Sequence, residues 1–274
     1  MDDLHSLAQT HYENFPVGSF LLPREIRKPI RLVYAFARVA DDIADEGDDT
    51  PEARVFQLEA WEGEFQRAMA GGSGDGFFHD LAGMVARNRL PVSHFHELIE
   101  AFKMDARGTT YETFEDLKFY CRHSANPIGR ILLHLFRSAT DEHCRWSDAI
   151  CTALQLTNFW QDLRVDIMRN RFYIPREDLE RFGLTVADLR SPEEKSGVRS
   201  LLKFQVERTR AMFAEGRPLL GSIDKRFALE LRLTVHGGMK ILEKIAAQNY
   251  DVSRRPTLSL YDRIHLLGRS LLKR

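Results

Sequence analysis

Two stretches of the chain place carboxylates at a spacing that suits metal-assisted chemistry. The first is Arg38-Val39-Ala40-Asp41-Asp42-Ile43-Ala44-Asp45-Glu46. Residues three or four apart are neighbours on a helix surface, so Asp41 and Asp45 share a stripe, with Arg38 one turn earlier. Like charges at that spacing cost roughly 0.2–0.5 kcal/mol, and acids at a helix C-terminus oppose the macrodipole by ~0.3–1 kcal/mol each. Something must offset the repulsion. Magnesium would, because it takes one or two carboxylates and fills its remaining positions with phosphate oxygens and water. The other reading is a solvated acidic helix end running on into Asp48 and Asp49.

The second stretch is Gln155-Leu156-Thr157-Asn158-Phe159-Trp160-Gln161-Asp162-Leu163-Arg164-Val165-Asp166, in which Asn158, Asp162 and Asp166 recur every four residues. Leu154, Leu156, Phe159, Leu163 and Ile167 spread apolar contact around the rest of that helix, which predicts deep burial, where unpaired carboxylates are expensive. Either a bound cation or an internal salt-bridge network with Arg164 and Arg169 would relieve them. Two such stripes on separate long helices, set face to face, describe a diphosphate trap. Metal ions bridging them would neutralise the charge growing on a leaving diphosphate while an apolar wall holds the departing carbon. That ionisation needs neither a general base nor a nucleophile.

The elements that must carry these stripes read as helices throughout. Apolar residues recur at spacings of three and four, and no Asn-Gly or Asp-Gly pair lies between alternating apolar runs. Pro23, Thr50-Pro51, Pro91, Thr113 and Ser191-Pro192 each stand where a cap or first-turn residue opens a helix. The expected helices are 3–12, 24–46, 51–70, 77–88, 92–106, 113–140, 146–168, 193–220 and 225–250. Real loops are expected at Gly71–Gly76 and from Asn170 to about Ser191. Neither loop marks a domain boundary, so residues 1–274 are expected to form one all-α domain around a common core.

On these residues the chain resembles the squalene and phytoene synthase family, head-to-head prenyl synthases with the isoprenoid-synthase helical fold around a central cavity. Tyr34-Ala35-Phe36-Ala37-Arg38 through Asp45 is similar to the family's first aspartate motif, and Leu154 through Asp166 to its second. Arg171-Phe172-Tyr173-Ile174-Pro175 looks like the basic-aromatic segment after it, and Asp105, Tyr111 and Tyr120-Cys121 match the stretch before the cavity helix. The resemblance implies magnesium-bound diphosphate at Asp41, Asp45, Asp162 and Asp166. It also implies that Asn158 and Gln155 assist, that Arg38 contacts phosphate, and that Asp42, Tyr34, Arg171 and Tyr250 line the diphosphate region.

Within the family, His11 through Ser19, Ser124-Ala125-Asn126-Pro127-Ile128-Gly129 and Asn158 through Asp162 look like the bacterial enzymes that hydrate presqualene diphosphate to hydroxysqualene in hopanoid pathways. Ser19 falls on the substrate side of that comparison, and Phe20 follows it as a substrate-binding candidate for an apolar wall. One departure bears on the chemistry: condensing members carry arginine immediately before the second motif's first aspartate, where this chain has Gln161. An amide there can hydrogen-bond water, so Gln161 or Asn126 is expected to place the quenching molecule. The alternatives are condensation of two prenyl diphosphates to squalene, dehydrosqualene or phytoene, and a non-catalytic assembly or scaffold role.

Composition narrows the partners. A formal net charge of −1 gives no electrostatic footprint for nucleic acid. Cys121, Cys144 and Cys151 are too few and too unevenly spaced for a disulfide framework, which suggests a cytoplasmic setting. No basic segment followed by an apolar stretch opens the chain, and no apolar run approaches the ~20 residues that span a bilayer. A prenyl diphosphate lipid must then be met at the membrane surface, by transient contact at the inner face, with other enzymes of squalene biosynthesis as further expected partners. The basic, amphipathic stretch Arg263 through Arg274 suits anionic lipid or packing on the bundle. His94 with His96, His123 and His134 lack convergent ligand spacing and are expected to be exposed or capping. Phe20, Leu21, Leu22, Phe36, Phe136 and Phe159 are candidates for an apolar wall.

Overall fold

Helix α1 (Arg24–Asp45) opens behind Pro23, and α2 (Pro51–Met69) opens behind Thr50, whose hydroxyl accepts from the Ala53 amide at 3.3 Å. The capped first turn of α2, with Pro51 at N1, leaves few orphan donors, whereas α1 follows Pro23 with no side-chain cap; both helices start where the sequence places them. They belong to a computed structural model that describes residues 22–72, 76–191, 196–251 and 253–271. The expected helix 3–12, together with Ser19, Phe20 and Leu21, lies outside the described residues. Among the described residues no strand occurs.

The chain divides into two compact units, the first comprising 1–109 and 122–144, the second 110–121 and 145–274. In the first unit, α1 and α2 pack with α3 (Gly76–Asn88) and α4 (Ser93–Ala106). Their core is aromatic: Phe36, fully buried, lies 5.9 Å from Trp61 and 5.4 Å from both Phe65 and Phe95, centroid to centroid. Phe36, expected on a prenyl wall, is thus central packing of this unit. The buried Lys103 ammonium bridges α4 to α2, 2.9 Å from Glu62 and 2.8 Å from Glu100.

The expected single helix 113–140 is two helices, α5 (Phe114–Ser124) and α6 (Asn126–Leu135). The break at Ala125 precedes Asn126-Pro127, and a proline ring has no amide hydrogen to continue the ladder and disfavours helical geometry before it. Helix α7 (Asp141–Met168) starts earlier than expected, because Thr140 caps it by accepting from the His143 amide at 3.1 Å.

The second unit contains α7 from residue 145. The expected loop 170–191 instead holds two short helices, α8 (Arg176–Arg181) and α9 (Val186–Arg190), the latter closed by a Thr185–Asp188 capping box. Six and five residues are too few to display a helical period, so sequence pattern misses them. Helix α10 (Ser196–Gly216) follows, and α11 (Leu219–Ser222) is set off from it by Arg217-Pro218. Gly216 is the close approach that seats α10: a Cβ there would come within 2.6 Å of the Trp146 carbonyl oxygen on α7. Trp160 reaches across from α7 to donate to Thr209 at 2.8 Å. Helix α12 (Lys225–Ala247) carries the terminal α13 (Leu260–Leu271).

Candidate active site

The first acidic stripe occupies the last turns of α1, where the helix's own carbonyls also need partners. Arg54 from α2 supplies them, donating to the Ala44 carbonyl and, at 2.7 Å, to that of Gly47. Arg38 lies half-buried among the acids, 3.1 Å from Asp41, 2.5 Å from Asp42 and 3.3 Å from Glu46. Burial opposes its charge, but Asp41 and Asp42 outweigh that and hold the guanidinium above its ordinary value. Arg38 therefore offsets part of the repulsion within the stripe, while Arg54 serves the backbone carbonyls at its end. The satisfaction is incomplete: Arg38 Nε and Asp42 Oδ1 are buried without a hydrogen-bond partner, so the Arg38–Asp42 approach is a Coulombic contact and not an aligned hydrogen bond. A buried, orphaned guanidinium N–H suits an incoming phosphate oxygen. Asp41, Asp45 and Tyr34 are half-buried on the same helix, and Asn126, buried at the start of α6, belongs to this unit too.

The second stripe runs along α7. Leu156, Phe159, Trp160, Leu163 and Ile167 are buried, whereas Gln155, Asn158, Gln161, Asp162 and Asp166 are half-buried, so the helix presents its oxygens along a partly open side. The proposed network with Arg164 and Arg169 is not how Asp162 is paired. Arg164 donates to the carbonyls of Leu189 and Arg190 at 3.4 and 3.3 Å. Asp162 instead receives Arg255 at both oxygens, through Nε and, at 3.1 Å, through Nη2. The neighbouring Gln161 donates its amide to the Pro256 carbonyl at 2.8 Å.

Both contacts fasten one strap, residues 253–259, that leads into α13. The chain enters it through Asn249 and Tyr250, at φ of 55° and 58°. Consecutive left-handed residues other than glycine are costly, about 1 kcal/mol or more each, and persist where their surroundings demand the turn. Tyr250 is half-buried at this corner, its amide bonded to the Ile245 carbonyl at 3.0 Å. Arg255 escapes a reading based on local spacing because it stands 93 residues from Asp162. The only hint is Arg254-Arg255-Pro256 lying between Tyr250 and the last helix.

Past the second stripe, Arg171 is half-buried and its amide returns to the Asp166 carbonyl at 2.9 Å. Tyr173 stacks on Phe159 at 3.8 Å and 8°, with Tyr120 and Tyr111 at 6.0 and 6.2 Å from Tyr173. Such a cluster offers electron-rich faces to a carbocation. Asp178, buried on α8, anchors the segment by accepting from Gln205 at 2.8 Å and from Arg208 at 2.8 and 3.1 Å. His94 and His96 are neither exposed nor capping: Nδ1 of buried His94 lies 2.9 Å from Glu97, and Nδ1 of His96 2.6 Å from Glu62.

Among the described residues no three His, Cys, Asp or Glu side chains cluster closely enough to hold an ion by themselves. The all-oxygen donors of both stripes fit magnesium, which completes its sphere with phosphate and water. Over residues 8–262 the sequence matches the model of the squalene/phytoene synthase family. The chain belongs to that family. The hydroxysqualene synthase of Rhodopseudomonas palustris is 34% identical over 82% of this chain and 76% of its own length. The phytoene synthase of Mycobacterium tuberculosis is 33% identical over 81% and 74%. Squalene synthase HpnC from Alicyclobacillus acidocaldarius superposes with a TM-score of 0.85 at 42% identity, covering 91% of this chain and 94% of that one. The helical architecture is therefore the isoprenoid-synthase fold, and the protein is an enzyme of isoprenoid biosynthesis.

Proposed function

We propose that this squalene/phytoene synthase family member converts presqualene diphosphate and water to hydroxysqualene and diphosphate, with Asp41, Asp45, Asp162 and Asp166 as magnesium ligands and Asn158 assisting. The observation that carries the reading is Gln161. Where the family's condensing members place an arginine, this chain has an amide whose N–H is committed to the strap carbonyl of Pro256. The phosphate-facing charge that those members carry on this helix is thereby absent from α7, which disfavours a second prenyl diphosphate there.

Arg38 directs its orphaned Nε to a diphosphate oxygen, and Gln155, Arg171, Tyr34 and Tyr250 complete the polar surround, with Asp42 orienting Arg38. Ser19 is assigned to the substrate by resemblance, and Phe20 as a candidate for the apolar wall. Magnesium, when bound, supplies the positive charge that stabilises the departing diphosphate. The cyclopropylcarbinyl carbon–oxygen bond breaks with its electron pair leaving on diphosphate. Phe159 and Tyr173 offer ring faces to the resulting cation, the ring opens, and a water oxygen bonds to the rearranged carbon and releases one proton. Gln161 Oε1 and Asn126 are the groups proposed to position that water.

The phytoene synthase among the relatives, at nearly the same identity, keeps condensation of two prenyl diphosphates as the second reading. Incubation with presqualene diphosphate should give the alcohol only when magnesium is present, and farnesyl diphosphate alone should give little product. Efficient turnover of farnesyl diphosphate to a hydrocarbon would overturn the assignment.

A further inference from the structure

Helix α13 turns its polar and apolar residues the wrong way round for a helix that ends at a protein core. Asp262, Leu266 and Ser270 are buried against α12, where Asp262 meets Lys244 at 2.6 Å and Ser270 meets His236 at 3.0 Å. Facing outward are Leu260, Tyr261, Ile264 and Leu267, which are 74%, 77%, 63% and 45% exposed. Among the described residues these are four of nine exposed large apolar side chains, gathered on one short helix, so the stripe is not the ordinary scatter of surface leucines.

The charges around the stripe have one sign. Arg263 and Arg269 are exposed on its flanks, and Arg254 is exposed in the strap that leads into it. The only acid between 260 and 271 is Asp262, which is turned inward and held far below the ordinary carboxylate range by Lys244 and Ser259. We infer that this face of α13 docks on an anionic lipid surface, with Leu260, Tyr261, Ile264 and Leu267 entering the headgroup region and Arg263 and Arg269 meeting the phosphates. A second copy of the chain suits the face less well. A two-fold interface would bring the arginines of both copies together with no acid on the face to receive them. Among the described residues no helix is long and apolar enough to cross a membrane, so the contact is peripheral.

The inference stands on exposure and charge and does not depend on the substrate assigned above, so its test uses no substrate. The full-length protein is floated with vesicles of equal parts phosphatidylglycerol and phosphatidylcholine, and with pure phosphatidylcholine. Co-flotation with the anionic vesicles only, weakened by salt, is expected. Ile264→Asp should cut partitioning about tenfold or more, as loss of one buried apolar side chain implies. Arg263→Gln and Arg269→Gln should cut it about fivefold each. These side chains are exposed, so thermal melting should match the parent and certify the fold. Failure of the parent protein to float would overturn the inference, as would variants that float equally well. A dimer in sedimentation that Ile264→Asp dissolves would overturn it too, assigning the face to self-association.

Discussion

Arg255→Gln separates what the strap does for stability from what it does to the acidic stripe. In the folded chain the Arg255 guanidinium covers both oxygens of Asp162, which a divalent ion would also have to use. Their side chains are 47% and 26% exposed, so solvent screens the pair and its worth to folding is about 0.5–1 kcal/mol. For a chain of this size that moves Tm by only about 1–4 °C. The same free energy opposes a cation at Asp162, because the guanidinium must be displaced first. Removing it should tighten binding of manganese, a paramagnetic stand-in for magnesium, by roughly two- to fivefold. The titration is read by electron paramagnetic resonance on substrate-free protein, with glutamine keeping the side chain polar and close in length. Unchanged or weaker manganese affinity at an unaltered Tm refutes competition between Arg255 and the metal for Asp162.

Three further predictions concern buried charge. Lys103→Met strands the Glu62 carboxylate, 15% exposed, with only His96 beside it, and should cost about 3 kcal/mol in urea unfolding; a loss below ~1 kcal/mol counts against the network. Burial pushes the Glu62 carboxyl up from its ordinary 4.5, but hydrogen bonds from Lys103 and His96 outweigh it and hold the group lower. Its stabilisation is therefore complete above the ordinary value and lost as pH falls through the folded one, so Glu62→Gln should flatten the acid limb of stability against pH. Asp178→Asn should cost about 2–3 kcal/mol by breaking the fork from Arg208 and should speed hydrogen exchange of the 171–174 amides; unchanged exchange there would mean that Asp178 does not anchor that segment.

What the sequence made legible is what depends on near neighbours. Caps such as Thr50-Pro51 and the i,i+4 aspartates lie within a turn of the groups they act on, so spacing alone places them. Thr140 followed by Asp141 and Glu142 is the same kind of local signal, and it marks the start of α7. The carboxylates are legible by type and period, and so is Arg38 beside Asp41; the partner of Asp162 is not, because Arg255 reaches α7 from 93 residues away, as Pro256 reaches Gln161 from 95. That separation changes the meaning of Gln161. An arginine at 161 would bring positive charge to the acidic stripe from within α7, whatever the strap did. With an amide there, the guanidinium on Asp162 comes from the strap, and Gln161 helps to hold that strap through the Pro256 carbonyl. The charge on the second stripe and the placement of the segment leading to α13 are therefore coupled in this chain. A substitution at 161 should be felt at Asp162 through residues 255 and 256 before it is felt in the choice of product.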